Sequence, residues 1–151
     1  MKDYFDDIER REKLLAILES WLGTPFRHHS GVKGLGTDCI HFVGRVFEEM
    51  GLVRWKKDII PDYPRDWHLH STREMLKERV LKELKVVQVS LGDELKDGDI
   101  LLFHLGKAAS HAGIYYKEYV YQAVERMGVC KVSIVDKVAK RQLKFILRVI
   151  E

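Results

Sequence analysis

The chain has 151 residues, 46% of them hydrophobic, which suffices for one core of ordinary size, so a single domain over 1–151 is expected. Its 26 basic and 23 acidic residues leave a net charge of only +3 and form no stripe that could track a phosphate backbone, so no nucleic-acid partner is expected. Two cysteines make no disulfide framework, the amino terminus MKDYFDDIERREKLL is acidic where a signal peptide is basic, and no run reaches membrane-spanning length; these features predict a chain that is cytoplasmic as synthesised, without membrane insertion.

Phe5, Ile8, Leu14, Leu15, Leu18, Trp21 and Leu22 recur at three- and four-residue steps and predict an amphipathic helix from about Tyr4 to Leu22, stopped by Gly23. The segment TPFRHHSGVKGLGTD that follows is aperiodic and glycine-rich, hence a sharply turning loop. Cys39, Phe42, Val43, Val46, Phe47 and Met50 then fall on one face of a second helix, with Thr37 or Asp38 as its cap and Gly51 as its end. After a connection containing Pro61 and Pro64, Ser71 and Glu74 form a capping-box pattern that opens a third helix, to about Leu84. Six short runs rich in Val, Ile, Tyr and Phe come next: KVVQVSL, DILLFHL, SHAGIYY, EYVYQAV, GVCKVSIV and KFILRVI. They read as strands, with a turn or two of helix at DKVAKRQL, whose basic cluster Lys137, Lys140, Arg141 and Lys144 reads as a solvated face. Helices first and a mostly antiparallel sheet of five to six strands after them make the class α+β.

Cys39 opens its helix, where unpaired N–H groups and the helix dipole favour a thiolate; a core cysteine is the equal alternative on position alone. Gly31, Gly34 and Gly36 favour the nucleophile, since they would let a substrate backbone approach the thiol. Cys130, mid-strand, reads as core. A thiol nucleophile needs a base, and the base needs a partner that holds its tautomer. His111 opens a strand, and Gln122 on the next strand offers an amide oxygen to His111 Nδ1, leaving Nε2 to face the thiol. Taken singly, His111 and Gln122 are ordinary strand polar residues. The pairs His28/His29 and His68/His70 lack a zinc spacing, and His41 and His104 suggest no role.

Taken together, these segments resemble the NlpC-type cell-wall peptidases, a papain-like family. LGTPFRHHSGVKGLGTDCIHFVGRVFEEMG is similar to the family's approach loop and nucleophile helix, usually written around Gly-x-Pro-Tyr and Asp-Cys-Ser-Gly. LKDGDILLF, SHAGIYY and VYQA are similar to its central turn, its histidine strand and the strand of its third polar residue. The resemblance implies Cys39 as nucleophile, His111 as base and Gln122 as the orienting residue, with Asp38 contacting a free amino group of a peptidoglycan stem peptide and no cofactor. Phe26 replaces the family's tyrosine and its hydroxyl, so the Cys39 N–H needs a second oxyanion donor, for which His28 and His29 are candidates. Ile40 and His41 replace Ser-Gly, which leaves the bond cleaved open.

The Gly-Thr-Pro start, the basic and histidine residues after Phe26, the Asp-Cys without Ser-Gly and the segment from Tyr63 to Trp67 resemble the short phage- and prophage-tail members, which implies phage tail proteins as partners and a virion location. The expected reaction is amide hydrolysis by a Cys39 thiol of depressed pKa. Two rivals stand beside it: a catalytically silent tail-assembly adaptor, and an acyl-lipid hydrolase or acyltransferase, suggested by the likeness of DCIHFV to the lecithin:retinol acyltransferase relatives.

Overall fold

The computed structural model describes residues 2–56, 74–104, 109–134 and 141–151. The expected first helix is split. A 3-10 turn at Tyr4–Asp6 precedes α1, Ile8–Trp21, because Asp7 takes an extended conformation and accepts the Arg10 N–H at 3.1 Å, a cap that wins over continued apolar periodicity. The second helix, α2, is Cys39–Glu49; Asp38 caps it and Gly51, at φ +80°, follows its end, as the sequence predicts. The third, α3, is Met75–Glu83. Ser71 lies outside the described residues, and Glu74 makes no capping bond; its carboxylate instead accepts the Ala109 N–H (3.0 Å) and Lys144 Nζ (2.6 Å), tying α3 to the sheet.

The strands, numbered in chain order, are β1 (Gly31–Val32), β2 (Gly36–Thr37), β3 (Val86–Val89), β4 (Ile100–His104), β5 (Ala109–Tyr116), β6 (Tyr119–Val124), β7 (Gly128–Ser133) and β8 (Leu143–Val149). β1 and β2 form a small hairpin before α2, and the other six make one antiparallel sheet in the order β3-β8-β4-β5-β6-β7. The α+β architecture of helices on a six-stranded antiparallel sheet is the one expected. Most of DKVAKRQL, the Tyr63–Trp67 segment, His68 and His70 lie outside the described residues.

Strand alternation sorts the core into two layers. Ile100, Leu102, Ala112, Ile114, Tyr121 and Leu147 join Leu14, Leu18, Phe42, Val46 and Phe47 between sheet and helices; Leu101, Phe103, Val120 and Ile146 pack on the other face. α1 is bound to α2 by the Trp21 ring against Phe42, with centroids 5.6 Å apart, and by Trp21 Nε1–H donating to Glu49 (2.7 Å). Among the described residues no helix is long and apolar enough to cross a membrane.

Candidate active site

The segment that leads to α2 is strapped to the sheet before it reaches Cys39. Gly23 N–H donates to Val129 O (2.9 Å) and Val129 N–H to Thr24 O (2.8 Å), so the free side of β7 is occupied by this segment. Gly128 makes that approach possible, since a Cβ there would stand 2.4 Å from Thr24 O. The segment then folds on itself through Thr37 N–H to Pro25 O (3.0 Å), Arg27 N–H to Thr37 O (3.0 Å) and Asp38 N–H to Ser30 O (2.9 Å). Its glycines serve the protein's own packing more than a ligand's approach: a Cβ at Gly31 would meet His41 Cβ at 2.9 Å, and one at Gly36 would meet Arg27 Cβ at 2.8 Å. Gly23 at φ +86° and Gly34 at φ +80°, with nothing near either, are turn residues open to solvent.

Cys39 meets the sheet where β5 and β6 part. Their pairing ends at Gly113↔Gln122, while β6 continues with β7 as far as Val124↔Gly128. Tyr115 bonds to Gly98 and Asp99 on the β4 side, so the alternation of the strand turns the Ala112 N–H to the vacated β6 side. The thiol sits there, taking the Ala112 N–H and lying 3.9 Å from the Ser110 carbonyl oxygen to which it donates. His111 is the residue between these two backbone groups. Ser110 is the extra residue of a bulge, since Phe103 pairs with His111 and His104 with Ala109, and bulges of this kind re-aim neighbouring side chains. Among the described residues the Ser110 hydroxyl is buried without a partner.

His111 and Gln122 meet, but through the other ring nitrogen from the one expected. Nε2 lies 2.7 Å from Gln122 Oε1, and because that oxygen only accepts, Nε2 carries the proton and Nδ1 is the ring nitrogen able to accept one. The Phe103 ring, 5.8 Å from the imidazole, backs it. The expected depressed thiol is also reversed. Burial pushes Cys39 up to about 12, the Asp38 carboxylate adds to the rise, and the N–H groups of Ala112, Ile40 and Cys39 itself oppose it. Cys39 is nevertheless only half-buried by surface area, packed against the edge of the main core rather than sealed within it. Burial also holds His111 below its ordinary value, against the Gln122 bond that raises it. Both shifts favour the neutral forms, a thiol that keeps its proton and an imidazole able to accept one.

The other predicted residues are spread around this centre. Asp38 is 3% exposed and used within the protein: Oδ1 accepts His41 N–H (3.0 Å) and lies 2.7 Å from His41 Nδ1, while Oδ2 accepts the His29 N–H (2.9 Å). These bonds hold its carboxyl below the usual range although burial acts the other way. His29 takes a left-handed conformation, φ 57°, and its ring lies 6.2 Å from that of His28 and 5.2 Å from that of His41. Phe26 bridges to Thr37 and packs against the main core. Cys130, opposite Gln122 on β7, is half-buried, and burial raises its thiol. The sequence reading passed over His41, which is fully buried; its one signal was the Asp38-x-x-His41 spacing, the interval at which a helix cap and a first-turn side chain pair.

Residues 23–145 match the model of the NlpC/P60 family. Among solved structures the chain is similar to an NLP/P60 family protein from Staphylococcus aureus, with TM-score 0.65 and 18% identity over 96% of this chain and 43% of that one. It is also similar to the NlpC/p60 domain of the peptidoglycan hydrolase SagA, with TM-score 0.57 and 18% identity over 91% of this chain and 97% of that one. A third likeness is to the peptidoglycan hydrolase RipB of Mycobacterium tuberculosis, with TM-score 0.58 and 18% identity over 95% of this chain and 66% of that one. This chain therefore spans less than half of the staphylococcal protein. At such identities the likenesses show the fold. No curated protein matches the chain significantly.

Proposed function

The chain belongs to the NlpC/P60 family, and on that premise we propose that it is a cysteine hydrolase of amide bonds in peptidoglycan stem peptides. The observation that carries this reading is the joint placement of Cys39 in the gap between β5 and β6, against the backbone on either side of His111, and of the His111 Nε2–H on Gln122. SagA and RipB, which share the fold, are described as peptidoglycan hydrolases. In the proposed reaction Cys39 Sγ attacks the amide carbonyl as its proton passes to His111 Nδ1. The Cys39 N–H, with His28 or His29, binds the oxyanion; His111 returns the proton to the leaving amine; and water, activated by His111, hydrolyses the thioester. The finer assignment, to phage tail-associated members acting on the wall from a particle, rests on Asp38-Cys39 without Ser-Gly and on the Tyr63–Trp67 segment.

The test is incubation of wild type and Cys39→Ala with sacculi from several bacteria and mass spectrometry of what is released. Fragments from wild type alone are expected, and their masses identify the bond. In the same assay His28→Ala or His29→Ala should cost about tenfold or more in turnover if that ring donates to the oxyanion, and no loss from either removes both as donors. The adaptor reading draws on Phe26, which lacks a hydroxyl, and on the raised thiol; it predicts no release by either protein and full assembly with Cys39→Ala.

A further inference from the structure

His41 is fully buried in the first turn of α2, two residues from the nucleophile, and two neighbours are shaped to admit it. Gly31 presses on its Cβ, and the Trp55 ring stands edge-on to the imidazole, with centroids 6.1 Å apart and planes at 87°. Trp55 is itself fastened across α2. Its N–H donates to Glu48 (2.8 Å), its carbonyl accepts from Arg45 (2.9 Å), and its ring lies against Gly44, where a Cβ would be only 2.0 Å away.

Among the described residues this imidazole makes one side-chain bond: Nδ1–H donates to Asp38 Oδ1 at 2.7 Å, the carboxylate fixing that tautomer, while Nε2 is buried with no partner there. The Trp55 Nε1–H beside it is likewise buried with no partner among the described residues, so the short Nδ1–H bond to a buried carboxylate is the polar contact that ties this ring to the helix start. Asp38 caps α2 and precedes Cys39 directly, so its negative charge bears on the thiol more than any other described carboxylate does.

We propose that His41 is a positioning residue for Cys39: by binding the Asp38 carboxylate it disperses the charge beside the nucleophile and fixes the cap from which Cys39 projects. The proposal rests on the reading of Cys39 as nucleophile. Among the described residues, the titratable groups next to Cys39 in the chain or on the strand it meets are Asp38 and His41 at the start of α2 and His111 on β5, with His29 of the approach segment packed against Asp38 and His41. Of these, His41 and the His29 backbone N–H bond the carboxylate.

The test reads the thiol directly and so does not depend on turnover. In a Cys130→Ser background the rate of Cys39 alkylation by iodoacetamide is followed from pH 7 to pH 10, beside kcat and KM on muropeptides. His41→Leu, which keeps bulk and loses the Nδ1–H, should slow alkylation about tenfold and lower kcat with KM within about twofold. His41→Asn, whose Nδ2 can reach the same oxygen, should restore most of both. In His41→Leu, the further change Asp38→Asn removes the charge but keeps a competent cap, and should recover alkylation. Equal losses in His41→Leu and His41→Asn would overturn the proposal, as would a double variant as slow as His41→Leu, or a fall in Tm with alkylation unchanged. If His41→Leu does not fold, His41→Asn and Asp38→Asn are read in the same way: a His41→Asn thiol more than about tenfold slower than wild type overturns the proposal. Failure of wild type to cleave muropeptides, with these alkylation differences intact, would count against the hydrolase and not against His41.

Discussion

At the scale of single residues, the imidazole sets the pH behaviour. In the proposed reaction His111 is a base in its neutral form, and burial holds its pKa below the ordinary 6.5, so activity should persist as pH falls below 6.5 and fail only when the lower folded value is crossed. Gln122 works against burial by raising that value. Gln122→Leu should therefore move the acidic limb of kcat/KM further down in pH, and lower kcat about tenfold or more because the ring is no longer aimed. A pH–rate profile of the two proteins checks both; an upward move of the limb would contradict the assigned bond. That His111 and Gln122 pair was legible in residue type and strand order. Which ring nitrogen meets Gln122 was not, because it depends on the bulge at Ser110 and on the rotation that the bulge gives the strand.

At the scale of elements, the start of α2 is the joint between fold and chemistry. Asp38 satisfies the first-turn His41 N–H and anchors the His29 N–H of the approach segment. Asp38→Ala should cost about 1–2 kcal/mol of stability at neutral pH, measured by urea unfolding. The sign with pH is definite. The folded carboxyl sits below its ordinary 3.8, so its stabilisation is present above that value and is lost as pH drops through the folded one. The deficit of the Ala variant should accordingly shrink as the solution is acidified through that window. The helix and its cap were legible because apolar spacing, Asp38 and Gly51 all act locally. The β5–β6 turn is a counter-example. Lys117 and Glu118 both take positive φ, 41° and 74°, in a two-residue turn that would normally announce itself with Asn or Gly, and the Lys117 N–H is held by Asp97 (2.8 Å).

At the scale of the molecule, the last strand decides the sheet. β8 inserts between β3 and β4, and Arg148 on it donates to both oxygens of Asp99, at 2.9 and 2.8 Å, where Asp99 is 1% exposed at the start of β4. Asp99→Ala leaves a largely buried guanidinium without its partner and should cost about 3–5 kcal/mol, whereas the double change Asp99→Leu/Arg148→Met should lie far closer to wild type. Denaturant midpoints of the three proteins decide it, and a single variant no worse than the double one would show that the pair does not act as a unit.

The class, the run of helices and strands and the pairing of His111 with Gln122 were legible in the chain, because capping, apolar period and turn residues act over a few positions. Tertiary structure decided what depends on distant chain segments meeting: the central place of β8, the parting of β5 from β6 that admits the thiol, and the burial that sets its resting proton. It also decided the use of Asp38 and His41. Spacing placed that pair at the start of α2, but the closing of Gly31 and Trp55 around the imidazole removes it from water and leaves the carboxylate, among the described residues, as its one side-chain hydrogen-bond partner.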